Sequence, residues 1–187
     1  MIDFRDFQLV RLSSDHLIKP FDCGDDDLND FLFNDAKNYL EQFLAVTYIL
    51  ENDTETVAFF SLLNDKITYE IDFKQDKSTW NKFNRNIPNS KRTTKGYPAT
   101  KIGRLAVSNS FKGAGVGRVI LDYLKELFIK NNRTGCKFFT VDAYKASLSF
   151  YEKNDFKYLI KEDVNDDTRL MYFHLLDCAE LLNLPLS

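Results

Sequence analysis

The feature that most constrains the fold is a glycine-rich segment, Lys112-Gly113-Ala114-Gly115-Val116-Gly117-Arg118, which lies between two apolar stretches. Ala99–Val107 before it is predicted to be a strand. Val119–Ile129 after it is predicted to be a helix, because its apolar residues recur at i, i+1, i+4 and i+5. Glycine lets a strand-to-helix turn bend tightly and approach a ligand closely. The second half of the chain is therefore expected to contain a strand–turn–helix unit.

This turn has the chemistry of a phosphate site. The first amide groups of a helix have no intrahelical partner, and the helix dipole places partial positive charge there, which suits a phosphate or pyrophosphate. Lys112 and Arg118 add charge on either side. The GxxxxGK[ST] loop of nucleotide triphosphatases is absent, and the spacing is GxGxG rather than the GxGxxG of dinucleotide folds. A plain turn that uses glycine for geometry is the alternative.

The first half of the chain predicts a strand, a helix and a hairpin. Phe7–Leu12 is the strand, and Asp25–Asp27 offers N-cap oxygens for the helix. Two β-rich runs, Leu44–Leu50 and Thr56–Leu63, flank a polar turn and predict an antiparallel hairpin. The helix is expected to turn one apolar face to the core. The residues of that face are Leu28, Phe31, Leu32, Tyr39, Leu40 and Phe43.

Further strands and helices complete a mixed order. Lys66–Phe73 is expected to be a short strand, and Gln75–Gly96 an inserted loop or short helix. The remaining predictions are a buried strand, a short helix and two last strands: Cys136–Val141, Ser147–Asn154, Phe156–Ile160 and Leu170–Leu176. The order β-α-β-β followed by β-α-β-α-β-β is that of an α/β (α+β) fold rather than a regular doubly wound one. The length of 187 residues suits one domain over residues 1–187.

Charge and cysteine content exclude several classes of protein. The net charge of −3 argues against a surface built entirely to bind a polyanion. The charge is uneven: residues 1–41 hold ten acidic and four basic side chains, and residues 75–95 hold six basic and one acidic. The basic stretch is either a solvated loop or a contact for an anionic partner. Three cysteines without a CxxC pair argue against a disulfide framework and against a zinc site.

The chain shows no sign of membrane insertion or export. Its N-terminus lacks the apolar core of a signal peptide, and no run of ~18 apolar residues occurs. A cytoplasmic location is therefore expected. The apolar tail Leu175–Leu186 is expected to pack either on its own domain or on a second subunit, so a homodimer is one of two alternatives.

Three segments together resemble the GNAT (GCN5-related) N-acetyltransferase superfamily. Lys112–Arg118 is similar to the family's [Q/R]xxGxG[G/A] loop, with Lys112 in place of Gln or Arg and Arg118 in place of Gly or Ala. Gly103–Val107 resembles the central strand. Phe150–Phe156 is similar to the FYxxxGF segment, except that Asp155 replaces its glycine. Tyr144 also departs from the family pattern, because many relatives have Asn at this position. The resemblance covers residues 5–175.

The resemblance implies a fold, a cosubstrate and an activity. The fold is a mostly antiparallel sheet splayed at its centre, with helices on both faces. Acetyl-CoA would lie in the splay, and an amine would attack the thioester directly, with no acyl-enzyme and no metal. Backbone groups of the central strand would hold the pantetheine arm, and loop amides would hold the pyrophosphate. The implied coenzyme-binding residues are Leu105, Ala106, Val107, Lys112, Gly113, Ala114, Gly115, Val116, Gly117 and Arg118.

Tyr151 is the implied catalytic residue, donating a proton to the departing thiolate. The chemistry agrees, because a phenol with an ordinary pKa of ~10 is protonated at neutral pH. The alternative is a tyrosine that only packs in the core. Cys136 lies in an apolar strand and is expected to be a core residue rather than a nucleophile. Asp142 is a weak candidate for the general base, with a water chain or solvent as the alternatives.

The acceptor amine has two main alternatives. Phe21-Asp22-Cys23-Gly24-Asp25 resembles the opening of GNAT toxins of toxin–antitoxin pairs, which acetylate the amino group of aminoacyl-tRNA. Such a protein would have tRNA and an antitoxin as partners, and the basic stretch 75–95 could contact tRNA phosphates. The other alternative is a primary amine of a small molecule or protein. An acetyl-CoA-binding module without catalysis and a nucleotide-dependent enzyme are two further hypotheses.

Overall fold

The structure is a computed structural model that describes residues 6–69, 77–84, 87, 96–130, 134–159 and 167–181. The strands are β1 (Gln8–Arg11), β2 (Val46–Glu51), β3 (Thr56–Ile67), β4 (Tyr97–Val107), β5 (Phe138–Tyr144), β6 (Lys157–Tyr158) and β7 (Thr168–His174). The α-helices are α1 (Asp26–Asp30), α2 (Ala36–Glu41), α3 (Lys77–Phe83), α4 (Val116–Lys130), α5 (Leu148–Glu152) and α6 (Leu175–Leu181).

Within these described ranges, seven strands form a mixed sheet in the order β1-β2-β3-β4-β5-β7-β6. The pairs β1–β2, β2–β3, β5–β7 and β6–β7 are antiparallel, and β4–β5 is parallel. A mostly antiparallel sheet with helices confirms the predicted α/β (α+β) class. The chain divides into two compact units. The first is Met1–Leu63 with Ile102–Leu124, and the second is Asn64–Lys101 with Lys125–Ser187.

The first unit contains the predicted hairpin. β2 pairs with β3 from Val46↔Leu62 to Glu51↔Thr56, with a register shift between Leu50 and Glu51. Its core is apolar, and the ring centre of Phe59 lies 5.4 Å from that of Phe21. The buried residues of this core are Leu12, Phe21, Cys23, Phe31, Leu32, Ala36, Ile49, Phe59 and Ala106. Burying this apolar surface is the main stabilising contribution of the unit.

The N-terminal helical segment begins as predicted, but its apolar face differs. Asp25 is the N-cap, and its carboxylate accepts a hydrogen bond from the amide of Leu28 at 3.1 Å. A π-helical turn, Phe31–Asp35, separates α1 from α2 and shifts the 3.6-residue phase. Phe43 was predicted to face the core, yet it lies past the end of α2 and is 97% exposed. Tyr39 is 37% exposed, but its ring packs edge-on against the core residue Phe31, with 5.3 Å between the ring centres, so it lies at the margin of the core as predicted.

The second unit is built around β5. β7 pairs with β5 along its whole length, from Phe138↔His174 to Tyr144↔Thr168. The parallel pairing of β4 with β5 is short, running only from Ala99↔Phe138 to Lys101↔Thr140, although both strands continue beyond it. An aromatic cluster fills the core of this unit. Its residues are Ile67, Trp80, Phe83, Tyr97, Ala99, Phe138, Leu159 and Tyr172.

Other element predictions are confirmed with shifted ends. The segment Gln75–Gly96 contains the short helix α3, whose Trp80 and Phe83 are buried. The predicted separate strand Lys66–Phe73 is wrong where the structure describes it, because Lys66 and Ile67 are the end of β3. α4 begins at Val116, three residues before the prediction, and its face is rotated so that Val119 is 40% exposed.

Candidate active site

The end of β4 alternates between buried and half-buried residues. Ala106 is buried and belongs to the core that contains Phe31 and Phe59. Its neighbours Leu105 and Val107 are half-buried, and since side chains alternate along a strand they point to the opposite face. The side chain of Ala106 is therefore committed to the core, and a role for this residue in coenzyme binding would have to use its backbone.

The loop after β4 has the conformation that its glycines permit. A 3₁₀ turn, Asn109–Phe111, leads into it. Gly113 has φ +79° and Gly115 has φ +86°, in the left-handed region that favours glycine. A Cβ atom placed on either residue would meet nothing within 4 Å. Glycine is thus needed here for backbone conformation rather than for packing, and open space remains above the turn for a ligand.

Helix α4 follows this turn directly and is anchored by its first residue. Val116 is buried, with 1% of its surface exposed. The amides of its first turn, which includes Gly117 and Arg118, have no intrahelical acceptor. A 15-residue helix also brings its dipole to this end. These amides and the open space above the two glycines fit a bound pyrophosphate.

The two predicted cations of the loop differ in their contacts. The ammonium of Lys112 donates to the backbone carbonyl of Cys23 at 2.6 Å. An ammonium has three donors, so this bond alone does not exhaust its capacity. Arg118 is exposed, and its Nε lies 3.7 Å from the carboxylate of Asp122 one turn later in α4. Its long side chain is therefore in solvent at the helix N-terminus.

Sequence reasoning did not predict a polar network that joins this loop to the N-terminal segment. The carboxylate of Asp22 accepts hydrogen bonds from the Gly24 amide at 2.7 Å and from the side chains of Asn29 at 2.9 Å and Asn109 at 3.2 Å. The Gly24 amide and then the Asn29 side chain hold the pKa of Asp22 below its ordinary value. The likeness of Phe21–Asp25 to the toxin opening was the available signal for Asp22. The pattern of the sequence offered none for Asn109.

Arg104 also lies on β4, directly before the residues predicted to hold the pantetheine arm. Its guanidinium carbon is 4.8 Å from the centre of the Phe31 ring, and its Nη1 donates to the Gly103 carbonyl at 3.0 Å. Its Nε is buried, and it has no hydrogen-bond partner within the described part of the chain. A buried donor without an acceptor is costly, so a water or ligand oxygen would stabilise this arrangement.

Tyr151 lies on α5 and is buried. Its ring packs edge-on against Phe150 and Phe156, with ring centres 5.1 and 5.3 Å away. Burial raises the pKa of the Tyr151 phenol well above its ordinary value. The phenol is therefore protonated throughout the physiological range. This environment suits a proton or hydrogen-bond donor and excludes a resting phenolate.

The turn after Tyr151 keeps a glycine-like backbone despite its substitution. Asp155 has φ +68°, in the left-handed region. Aspartate tolerates this region better than most residues. The buried ammonium of Lys125 donates to the Asn154 carbonyl at 3.0 Å and lies 3.8 Å from the Asp155 carboxylate. Lys125 thereby fastens this turn to α4, a role that the sequence pattern did not reveal.

The other chemistry-bearing candidates have structural contacts. Asp142 forms an ion pair with Lys101 at 2.5 Å. Cys136 is half-buried just before β5, and its thiol contacts the Thr100 hydroxyl at 3.4 Å. Burial raises the pKa of the Cys136 thiol, which disfavours a nucleophilic thiolate.

The predicted site residues fall into the two units. All ten predicted coenzyme residues lie in the first unit, and Tyr151 lies in the second. Among the described residues, no group of three or more His, Cys, Asp or Glu side chains is arranged to hold a metal ion. No helix in the described ranges combines the length and apolarity needed to cross a membrane.

Comparison with known proteins agrees with this fold. Residues 89–172 match a family model described as an acetyltransferase (GNAT) domain. One solved structure of similar fold is a tyrosine-to-phenylalanine mutant of the toxin AtaT, bound to the C-terminus of the antitoxin AtaR and to acetyl-CoA. It is 18% identical to this chain, with a TM-score of 0.66, and the match covers 95% of this chain and 98% of that one. A tyrosine-to-phenylalanine mutant of KacT is 18% identical, with a TM-score of 0.73 and coverage of 94% and 99%.

A third similar structure is AtaT complexed with acetyl-methionyl-tRNAfMet. It is 20% identical, with a TM-score of 0.70 and coverage of 95% of this chain and 99% of that one. Because these sequence identities are only 18–20%, the likeness shows a shared fold and nothing further. The family model, the mostly antiparallel sheet with a short parallel β4–β5 pairing, and the glycine turn before α4 agree with one another. Residues 89–172 therefore match a GNAT acetyltransferase domain, within a chain of the same overall fold as these structures.

Proposed function

We propose that the protein transfers an acetyl group from acetyl-CoA to an amine, with the pyrophosphate bound at the turn before α4. The observation that carries the proposal is the geometry of this turn. Gly113 and Gly115 both have positive φ, and a Cβ on either would point into open space. The N-terminal amides of α4 and the charges of Lys112 and Arg118 supply a site for a dianionic group.

The reaction needs only a donor, an acceptor and a proton donor. The neutral amine nitrogen attacks the thioester carbon, a C–N bond forms, and the C–S bond breaks. The amine loses a proton to water, and the departing sulfur takes a proton from the phenol of Tyr151, which solvent then restores. In this proposal backbone groups of Leu105, Ala106 and Val107 align the pantetheine arm, and the amides from Lys112 to Arg118 hold the phosphates.

The acceptor we propose is the α-amino group of aminoacyl-tRNA, which would make the protein a toxin that acts in the cytoplasm. Two observations support this choice. Solved structures of similar fold include AtaT with acetyl-methionyl-tRNAfMet and AtaT with its antitoxin. The segment Phe21–Asp25 resembles the opening of such toxins, and it contacts the loop at Asn109 and Lys112. The basic stretch 75–95, of which only 77–84 and 87 are described, would add phosphate contacts.

The acceptor in a second candidate function is a primary amine of a small molecule or protein. The charge distribution favours it, because residues 1–41 carry ten acidic and four basic side chains in a chain of net charge −3. A surface of this kind repels the polyanionic body of a tRNA. It attracts small cationic amines instead.

Induced expression in a bacterium without any antitoxin distinguishes the two functions. Under the first proposal the wild-type protein arrests growth and the Tyr151→Phe variant does not. Purified protein incubated with acetyl-CoA and charged tRNA should then give N-acetylaminoacyl-adenosine after nuclease digestion, detected by mass spectrometry. Harmless expression, together with unmodified tRNA and acetylation of a small amine in a substrate panel, would favour the second function.

A further inference from the structure

We propose that Asp22 and Asn109 are positioning residues that hold the phosphate loop in its binding conformation. We call the contacts between the segment Asp22–Gly24 and the turn Asn109–Lys112 the clasp. This inference rests on the proposed function, because it assigns a role to residues that would not touch the coenzyme. All of the clasp lies within the first compact unit.

The clasp joins two segments 87 residues apart at several points. The backbone amide of Asn109 donates to the Asp22 carbonyl at 2.8 Å, and the Asn109 side chain donates to the Asp22 carboxylate at 3.2 Å. Three residues later the ammonium of Lys112 donates to the Cys23 carbonyl at 2.6 Å. Both ends of the turn that precedes Gly113 are therefore fixed to the same short segment.

The N-terminal side of the clasp is itself held rigidly. The Asp22 carboxylate also accepts from the amide of Gly24 at 2.7 Å and the side chain of Asn29 at 2.9 Å. Gly24 has φ +73°, and a Cβ on it would lie 3.3 Å from the side-chain atoms of Asn109. Glycine here permits both the turn and the close approach of Asn109. Asp22 is consequently the shared acceptor of its own turn and of the loop.

The position of the clasp suggests its purpose. Gly113 and Gly115 lie in open space, so no packed side chain defines the path of the backbone there. A glycine-rich segment has more conformational freedom than any other, and ordering it on binding costs free energy. Fixing the residues immediately before Gly113 lowers that cost in advance, which is how preorganisation increases affinity. The effect is expected on the pyrophosphate end of the coenzyme and not on the pantetheine end.

The test compares two ligands that share pantetheine and differ in phosphate. Affinities for acetyl-CoA and for S-acetyl-pantetheine, which lacks the pyrophosphate, are measured by titration for wild type, Asp22→Ala, Asn109→Ala and the double variant. We expect each single variant to weaken acetyl-CoA binding about tenfold and to leave S-acetyl-pantetheine binding unchanged. Because the two residues act through one contact, the double variant should lose little more than either single variant.

Asn34→Ala is the matched control, since the Asn34 amide donates to the Asp30 carboxylate at 2.6 Å in an exposed position of the same unit. It should change neither affinity. If Asp22→Ala and Asn109→Ala weaken the binding of both ligands equally, or weaken the binding of neither, the role of the clasp is overturned and the proposed function is not. A wild-type protein that binds neither ligand would overturn the proposed function as well.

Discussion

The ring of Tyr151 packs edge-on against Phe156, with 5.3 Å between the ring centres, and its carbonyl accepts a hydrogen bond from the Phe156 amide at 3.0 Å. The aromatic part of Tyr151 thus has a packing role that does not involve its hydroxyl. A phenylalanine retains this packing and removes only the hydroxyl. The two functions of the residue can therefore be separated by one substitution.

Tyr151→Phe should lower kcat by about 10²-fold or more, within the ~10²–10⁴ range of general acid catalysis. The free energy of unfolding and the affinity for acetyl-CoA should stay close to those of the wild type. Initial rates, thermal unfolding and calorimetry measure the three quantities. Tyr158→Phe in the same unit is a suitable control. A Tyr151→Phe enzyme with the kcat of the wild type would show that Tyr151 is not the proton donor.

The raised pKa of Tyr151 predicts the shape of the pH–rate profile. A raised pKa keeps the phenol protonated, so the proton donor is retained as the pH increases to ~10, the ordinary pKa of a phenol. The acceptor amine must lose its proton, so kcat/KM should rise with pH and then level off. A descending limb between pH 7 and 10 that disappears in Tyr151→Phe would contradict this account.

Phe43 predicts a stabilising substitution. It has φ +56° directly after α2, where its amide donates to the Leu40 carbonyl at 3.1 Å and the Leu44 amide donates to the Tyr39 carbonyl at 2.9 Å. This is the Schellman arrangement, in which glycine is preferred at the left-handed position. Phe43→Gly should raise the free energy of unfolding by about 0.5–1 kcal/mol, because the side chain is almost fully exposed. Chemical denaturation measures the free energy of unfolding of both proteins. A Phe43→Gly protein less stable than the wild type would show that the Phe43 side chain has a packing partner.

Replacing Lys125 is expected to destabilise the second unit. Its buried ammonium bonds the Asn154 carbonyl and lies 4.5 Å from the centre of the Phe173 ring. Lys125→Met would leave that carbonyl without this donor, so the free energy of unfolding should fall by about 1–3 kcal/mol. Lys130→Met is the control, since its ion pair with Glu126 is exposed and contributes ~0.5 kcal/mol or less. Equal effects of the two substitutions would refute the anchoring role.

Much of the fold follows from local pattern. The polar turn between two β-rich runs predicted the β2–β3 hairpin, and Asp25 marked the start of α1. The apolar face of the N-terminal helical segment did not follow, because the π-helical turn Phe31–Asp35 changes the phase after Leu32. A period of 3.6 residues cannot anticipate a turn of different pitch. Phe43 is exposed for a different reason, because α2 ends at Glu41 and Phe43 takes the left-handed position after it.

The candidate site, too, could be predicted from the sequence only in part. The glycine spacing predicted the turn, and positive φ at Gly113 and Gly115 agrees with it. The coenzyme roles of these residues and the catalytic role of Tyr151 stay predictions. The contact of Asp22 with Asn109 could not be predicted, because it joins residues far apart in sequence that carry no periodic signal. Lys112 was interpreted only as a phosphate ligand, and its bond to the Cys23 carbonyl depends on the same long-range approach.

The central claim is that acetyl-CoA binds at the turn before α4, and calorimetric titration of acetyl-CoA into wild type and Gly115→Glu tests it most directly. The φ of +86° at Gly115 disfavours any side chain, and a carboxylate there would point into the space proposed for the pyrophosphate. We predict micromolar binding by the wild type, about −8 kcal/mol at a Kd of ~1 µM, and its loss in Gly115→Glu. Absence of binding by the wild type, or equal binding by the variant, would contradict the account.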